Sequence, residues 1–482
     1  MDKMLQNLIH NKSDLRKIAI LQILIDANEI VSSNDIARKL NYTNRTIIND
    51  ISDLKTQLPD NWYIKSITSK GYKLKKPLIE NASIVIKEYL INSALYNILL
   101  AIFEGKYYGL EKWSQLLFLN RTSLRKQLTA FKKTLEIFKL DWDYKNVQLI
   151  GEELNIRHFY CVFFFSMQRY ILNFDIPSRL EKNIKINIRY YRIKVDINSL
   201  NIILKVCINR IMQKKILNKK KYPEDILDSS QKQCLNNIIE EIEKSFSLNF
   251  PENEKKYLYT AFFLIAEIPT IQTIKNNISF CLFKKHNLLE YNEIFNVIKN
   301  KLTMSNNLKE QFDLDVMYHL YKIFLLKKGN FPIPYYSSTE TNLKEFSEIS
   351  QGINLLVKDW NVKLNTPILS DSEILFISNK IAYTFYTDVR NIKVLVTLSG
   401  SNIWKKVIHS KLYKELHGNF NLLLEFDDND TYDFIISNYQ IKNAEVPVII
   451  ISDELKTKEI VSINEIFTKE AKRRGFVQVD EE

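Results

Sequence analysis

A chain of 482 residues, 45% of them hydrophobic, can bury several separate cores, so roughly three to five compact units are expected rather than one. The formal net charge is +12, with 23 Lys/Arg against 15 Asp/Glu in residues 1–150 and 12 against 15 in residues 391–482. The basic front suits a polyanion and the slightly acidic end suits protein, although the middle of the chain is basic as well.

Glycine and proline number only 9 and 10, and long stretches carry a helical apolar period, so the fold is expected to be mainly α and multidomain. Residues 14–27, DLRKIAILQILIDA, form an amphipathic helix with Leu15, Ile18, Ala19 and Leu21 inward. Ser32 or Ser33 can cap NDIARKL, which ends at Asn41, and Thr43 can cap NRTIINDISDLKTQL. Ala37 allows the two helices to cross closely, and Ile47, Ile48, Ile51 and Leu54 supply the inner faces. Asn44, Arg45, Thr46 and Asn49 are left at the exposed start of the second helix, where a recognition helix meets base edges. The following WYIKSITSKGYKLKK reads as two strands turned at Ser69-Lys70-Gly71, with Lys65, Lys70, Lys73 and Lys75 along the hairpin. Helix, turn, helix and wing in this order predict a winged helix-turn-helix on double-stranded DNA, its lysines on phosphates. The plainer reading is a helical hairpin with a solvated basic face.

The plan repeats at residues 111–150. EKWSQLLFL leads through Asn120 into RTSLRKQLTAFKKTLEIFKL, with Thr122 or Ser123 as the expected cap. Arg121, Arg125, Lys126 and Lys132 are expected to face outward, and Trp142 to Ile150 to form a second wing. Further along, ILNKKKYPEDILDSS (216–230) reads as an exposed loop, and KKHNLLEYNE (284–293) as a boundary between helical blocks. In the last ninety residues KVLVTLS, NLLLEF, YDFIIS and VPVIIIS are strand candidates separated by helices such as IWKKVIHSKLYKELHG, which predicts a small parallel α/β unit.

Cys161, Cys207, Cys234 and Cys281 lack zinc-ligand spacing and read as buried free thiols in a reducing cytosol. His10, His158, His286, His409 and His417 have no partners at ligand or triad spacing, so neither a metal nor a cofactor is expected. No window approaches the ~20 apolar residues of a membrane span, and the first residues lack the apolar stretch of a signal peptide, so a cytoplasmic protein is expected. Paired carboxylates, nucleophile motifs and a phosphate-binding glycine loop are missing, so no enzyme is expected.

The doubled helix-turn-helix followed by IGEELNIRHFYCVFF, with Gly151, Glu152 and Arg157 ahead of the aromatic run, resembles the Mga/AtxA group of Gram-positive virulence regulators. The resemblance implies modules at 1–76 and 77–155, helical PTS-regulation domains (PRDs) at 156–284 and 285–390, and an EIIB-like α/β domain at 391–482. It further implies activation of capsule and related virulence genes, self-association as a homodimer through the EIIB-like domain, and PTS phosphocarrier proteins and RNA polymerase as further partners.

PRDs accept phosphate on histidine. Here IILKVCINRI, ending in Arg210, resembles a PRD helix but places Ile203 at the acceptor, with Asn198 upstream, and ENEKKYLYTAFF places Ala261 at the next. VMYHLYKIFLLKKGNFPIP puts His319 on an acceptor position, and SEILFISNKIAY puts Lys380 on the last. His319 is thus the single retained acceptor; a helix histidine in ordinary packing is the competing reading. The loop VTLSGSNIW offers Ser399, Gly400 and Ser401 where EIIB domains carry a phosphorylated cysteine. Such a loop can bind an anion at a helix start, but it cannot transfer phosphate through a thiol. Two other functions stay in view: an RNA-binding antiterminator of the PRD class, which would start with a β-rich domain, and a phosphotransferase, which would need the missing cysteine and histidines.

Overall fold

Short polar side chains decide where the first helices begin. Asn11, Ser32 and Thr43 each accept a hydrogen bond from a backbone N–H in the first turn of the next helix. They start helices α2 (Lys12–Asp26), α3 (Ser33–Leu40) and α4 (Asn44–Gln57), after a short α1 (Lys3–Leu8). The choice between Ser32 and Ser33 resolves to Ser32, and Asn41 ends α3 in the left-handed conformation, as its side chain tolerates. Strands β1 (Tyr63–Ile67) and β2 (Gly71–Lys75) form the antiparallel wing, with Lys65 opposite Lys73.

The core of this module is Ile20, Leu24, Ile36, Ala37, Ile47, Ile51, Leu54 and Ile64. Two expectations need correction. Leu15 and Ala19 are only half-buried, because Ile20 and Leu24 turn the inner stripe of α2 further round the helix. Ile48 is 42% exposed: it lies next to Ile47 in sequence, and the narrow inner face of α4 is taken by Ile47, Asp50, Ile51 and Leu54.

The computed structural model describes residues 3–27, 29–77, 79–171, 176–217, 226–266, 289–301, 306–328, 344–364, 367–389, 392–416, 422–423, 432–441 and 444–475. Cys281, His286, His417, the boundary expected near residue 284 and most of the loop expected at 216–230 lie outside these residues. The described elements fall into two units, one reaching to Ala266 and the other starting at Leu289.

In the first unit the second module comes next as α5 (Ser83–Ile91), α6 (Ala94–Phe103), α7 (Leu110–Leu116), α8 (Arg121–Ile137), β3 (Asp141–Asp143) and β4 (Gln148–Ile150). The cap of α8 is Asn120, whose side chain accepts from the Ser123 amide at 2.6 Å, and not Thr122 or Ser123. Asn at this position captures the amide three residues on, so the helix starts two or three residues earlier than either expected cap would give, at Arg121.

Helix α9 (Glu153–Met167) then carries the chain without a break from the second module into a helical bundle of α10 (Ser178–Tyr190), α11 (Ile197–Met212), α12 (Ser229–Phe246) and α13 (Glu252–Ile265). One side of α9 is aromatic. Phe159 meets Phe138 at 5.3 Å and Phe131 at 6.3 Å between ring centroids, and Phe164 meets Phe103 at 4.6 Å. The other side is ionic. Arg157, fully buried, donates a pair of hydrogen bonds to Glu254 on α13, reaches Glu153 at 3.0 Å, and donates to the Lys215 carbonyl at 2.9 Å. Arg210 on α11 closes the network onto Glu153. Each charge has a partner, which is the condition for burying it. Cys161, Cys207 and Cys234 are buried free thiols, as expected, and burial drives Cys161 and Cys234 up to about 12, far from thiolate reactivity.

The second unit packs α14 (Leu289–Lys301), α15 (Asn306–Lys328), α16 (Lys344–Lys363) and α17 (Asp371–Val389) against one another. It ends in a parallel sheet of order β6-β5-β7-β8, built from β5 (Val394–Thr397), β6 (Leu422–Leu423), β7 (Phe434–Ser437) and β8 (Val448–Ile450). Helices α18 (Asn402–Leu416) and α19 (Thr457–Gly475) bury Leu412 and Phe467 with Val394, Val396 and Ile436. All four strand candidates are therefore strands, in the parallel arrangement expected.

Replacing Glu254 with alanine leaves the fully buried Arg157 with one carboxylate fewer. It is expected to cost the first unit about 3–5 kcal/mol of stability, read as a lowered unfolding midpoint in urea.

Candidate nucleic-acid interface

The first candidate surface is the start of α4. Thr43 caps the helix, and with Ile47 and Ile51 buried, Asn44, Arg45 and Asn49 are left exposed. None of these three side chains is engaged by another among the described residues. Thr46 differs: it is half-buried, and its hydroxyl lies 2.8 Å from that of Thr43, so it serves the cap. Ile48, absent from the predicted site, stands exposed on the same end of the helix. An aliphatic side chain beside Arg and Asn matches what a major groove offers, because thymine presents a methyl group next to the hydrogen-bonding edges. Its signal in sequence was masked by the isoleucine neighbour that does enter the core.

Helix α4 is pinned from behind. Asp50, 3% exposed, accepts a forked pair of bonds from Arg16 on α2, one of them at 3.0 Å, and a bond from the Ser13 hydroxyl. The Arg16 guanidinium also sits 4.7 Å from the ring centre of Tyr42 in the turn. A second pair, Lys17 to Asp53 at 3.1 Å, adds to it.

The wing stands beside this helix. Lys65, Lys70 and Lys73 are exposed, and none meets a carboxylate among the described residues. Lys65 and Lys73 are direct cross-strand partners. Like charges placed so repel, and an anionic partner would relieve the repulsion. Gly71 does more than permit the turn. The wing is stitched to the α2–α3 loop by paired bonds between Val31 and Tyr72 at 3.0 and 2.8 Å, and a Cβ on Gly71 would stand 2.2 Å from the Val31 carbonyl oxygen.

The second module repeats the helix and, as expected, the antiparallel hairpin, with Asp141 opposite Ile150, but not the cross-strand lysine pair of the first wing. Arg121, Arg125 and Lys126 are exposed on α8, with Thr122, Thr129 and Lys133 on the same open face. Arg125 lies over Tyr144 at 5.5 Å. Lys132 is not free, being bonded to Asp141 at 2.7 Å. The hairpin behind it carries Asp141 and Asp143, both held below the ordinary carboxylate range by hydrogen bonds, Asp141 by Lys132 and Asp143 by the Lys145 amide.

His319, the candidate acceptor on α15, is 5% exposed, and its Nδ1 has no hydrogen-bond partner among the described residues. Burial pushes its pKa well below 6.5, and Lys322 and Lys380 act in the same direction. The imidazole is held neutral and away from solvent. Burial, with Lys380, also brings Lys322 down to about 7.

Residues 80–164 match the model of the Mga helix-turn-helix domain, and residues 16–73 match that of an HTH domain. The chain is therefore a protein with two successive helix-turn-helix modules at its front. Along almost its whole length it is similar to Mga/AtxA-type regulators, as its sequence motifs imply. It is 21% identical to the capsule synthesis positive regulator AcpB of Bacillus anthracis, over 91% of this chain and 95% of that protein. It is likewise 21% identical to the capsule synthesis positive regulator AcpA of Bacillus anthracis, over 93% and 98%. The anthrax toxin expression trans-acting positive regulator of the same organism is 21% identical over 94% and 98%. No single helix among the described residues is long and apolar enough to cross a membrane.

Asp50→Ala strands Arg16 and should cost about 3 kcal/mol in the first module, measured by chemical denaturation of the intact chain. For His319 the unfolded state takes a proton below about pH 6.5 while the folded state does not, so stability holds above that pH and falls as pH drops. Melting curves of the second unit at pH 7.5 and 5.5 should show this loss, and His319→Gln should reduce it; Lys322, near 7 when folded, adds its slope above that value.

Proposed function

We propose that this chain is a DNA-binding transcriptional activator of virulence genes, capsule synthesis genes among them, working as a homodimer in the bacterial cytoplasm. The observation that carries the reading is the unengaged end of α4, where Asn44, Arg45, Ile48 and Asn49 stand beside a wing whose Lys65 and Lys73 repel each other. Donors and an aliphatic group suit base edges, and paired lysines suit phosphates. The named functions of the full-length relatives, positive regulators of capsule synthesis and toxin expression, supply the direction of control and the class of target.

The regions behind the DNA-binding modules are assigned by resemblance. Residues 156–284 and 285–390 are PRD-like regulatory bundles, and 391–482 is an EIIB-like domain through which the protein self-associates. The role is regulatory rather than enzymatic. PTS phosphocarrier proteins and RNA polymerase are the further partners this reading implies. Phosphorylation of His319 requires the bundle to open, because the ring is 5% exposed.

Selection of the intact chain against a randomised duplex library should enrich a defined sequence. On it, Arg45→Ala should cost about 1–3 kcal/mol and relax preference at one or two positions. Lys65→Ala should weaken binding evenly across sequences and lower the salt slope by about one. Failure to enrich any duplex, or displacement of DNA by a hairpin RNA, would reject the reading.

A further inference from the structure

The two modules exchange helices. α1 lies ahead of the first module in sequence, yet it packs on α6, α8 and α9 of the second. Its Leu5 and Leu8 are at most 1% exposed, and the Leu8 carbonyl accepts from the Ser93 hydroxyl at 2.7 Å. α5 lies at the front of the second module, yet its Val85 is buried with Leu21 and Trp62 of the first. Polar bonds seal the same seam. Glu80 accepts from Trp62 Nε1 at 2.6 Å and from Asn61 at 2.9 Å, and Tyr89 donates to Gln57 at 2.7 Å.

Two connections therefore cross between the modules, and both are short. Residues 9–11 join α1 to α2, and the segment after β2 is fastened at Glu80 before α5 begins. Turning one module against the other would pull α1 off α8 or expose Trp62 and Val85 to water. Either loss gives up a buried apolar contact, so free rotation is disfavoured. The side chains offered by α4 and the open face of α8 thus keep one mutual distance and angle.

We infer that the two modules form a single rigid reading head, which takes a bipartite duplex whose two contacted segments have one allowed spacing. This rests on the DNA-binding reading above. With fixed geometry, engagement of the second segment is intramolecular and strong when the spacing fits, and lost when it does not. One helical turn of DNA is about 10 base pairs, so inserting 5 base pairs turns one segment to the opposite face and inserting 10 displaces it along the same face.

The test uses the intact chain on a duplex it has selected. Hydroxyl-radical footprints of wild type, Arg45→Ala and Arg125→Ala assign protected segments to each module, and both substituted residues are exposed. Insertions of 5 and of 10 base pairs are then placed between an assigned pair. Each insertion should weaken binding roughly a hundredfold or more. Loss of less than threefold for both insertions overturns the rigid head and indicates modules that move independently. Arg45→Ala weakening binding while Arg125→Ala leaves affinity and footprint unchanged also overturns it, with the DNA reading intact. No selected duplex, or no response to either substitution, overturns the DNA reading itself.

Discussion

The first module is organised around one buried carboxylate. Asp50 lies in the middle of α4, and its burial is tolerated only because Arg16 on α2 meets it with a forked pair of bonds. That pair fixes the rotation of α4 about its own axis, and Arg16 over Tyr42 extends the hold to the turn that precedes it. The direction in which Asn44, Arg45 and Asn49 point is a consequence. The apolar core alone would permit some rolling of α4, since dispersion and burial have no direction. A forked ion pair does.

A similar division recurs at α9. Its aromatic side belongs to the second module and its charged side to the helical bundle, so a single helix without a break ties the DNA-binding front to that bundle. The two modules nevertheless differ in equipment. The first has a lysine-bearing wing, while the second has a hairpin of aspartates that neutralises Lys132 and orders its own turn. The cross-strand lysine pair of the first wing thus has no counterpart in the second.

Much of this was legible in the sequence, because it is local. Thr43 as a cap, Gly71 in the wing, the alternation of strands and helices after residue 391, and the burial of Cys161, Cys207 and Cys234 each depend on a few neighbouring residues. The features that escaped are non-local or decided by competition. Nothing near Leu5 says that it packs on α8, and nothing near Glu80 says that it caps the indole of Trp62. Asn120 outcompetes two later hydroxyl residues for the cap of α8. Ile48 looks like core because its neighbours are core, and only the curvature of the helix surface puts it outside. His319 was placed correctly on a helix by pattern, but its burial beside Lys322 is a property of the assembled bundle.

The exchange of α1 also bears on how the front of the molecule can be probed. Removing residues 1–76 would strip a buried helix from the second module, so truncation cannot isolate the contribution of α4. A direct measurement leaves the chain whole: a photoreactive amino acid is placed at position 48, or at position 57 at the far end of α4, and irradiated with the protein on its selected duplex. Crosslinks from position 48 to bases in the major groove, with none from position 57, are the result this structure predicts. Undiminished DNA binding without any crosslink from position 48 would contradict it.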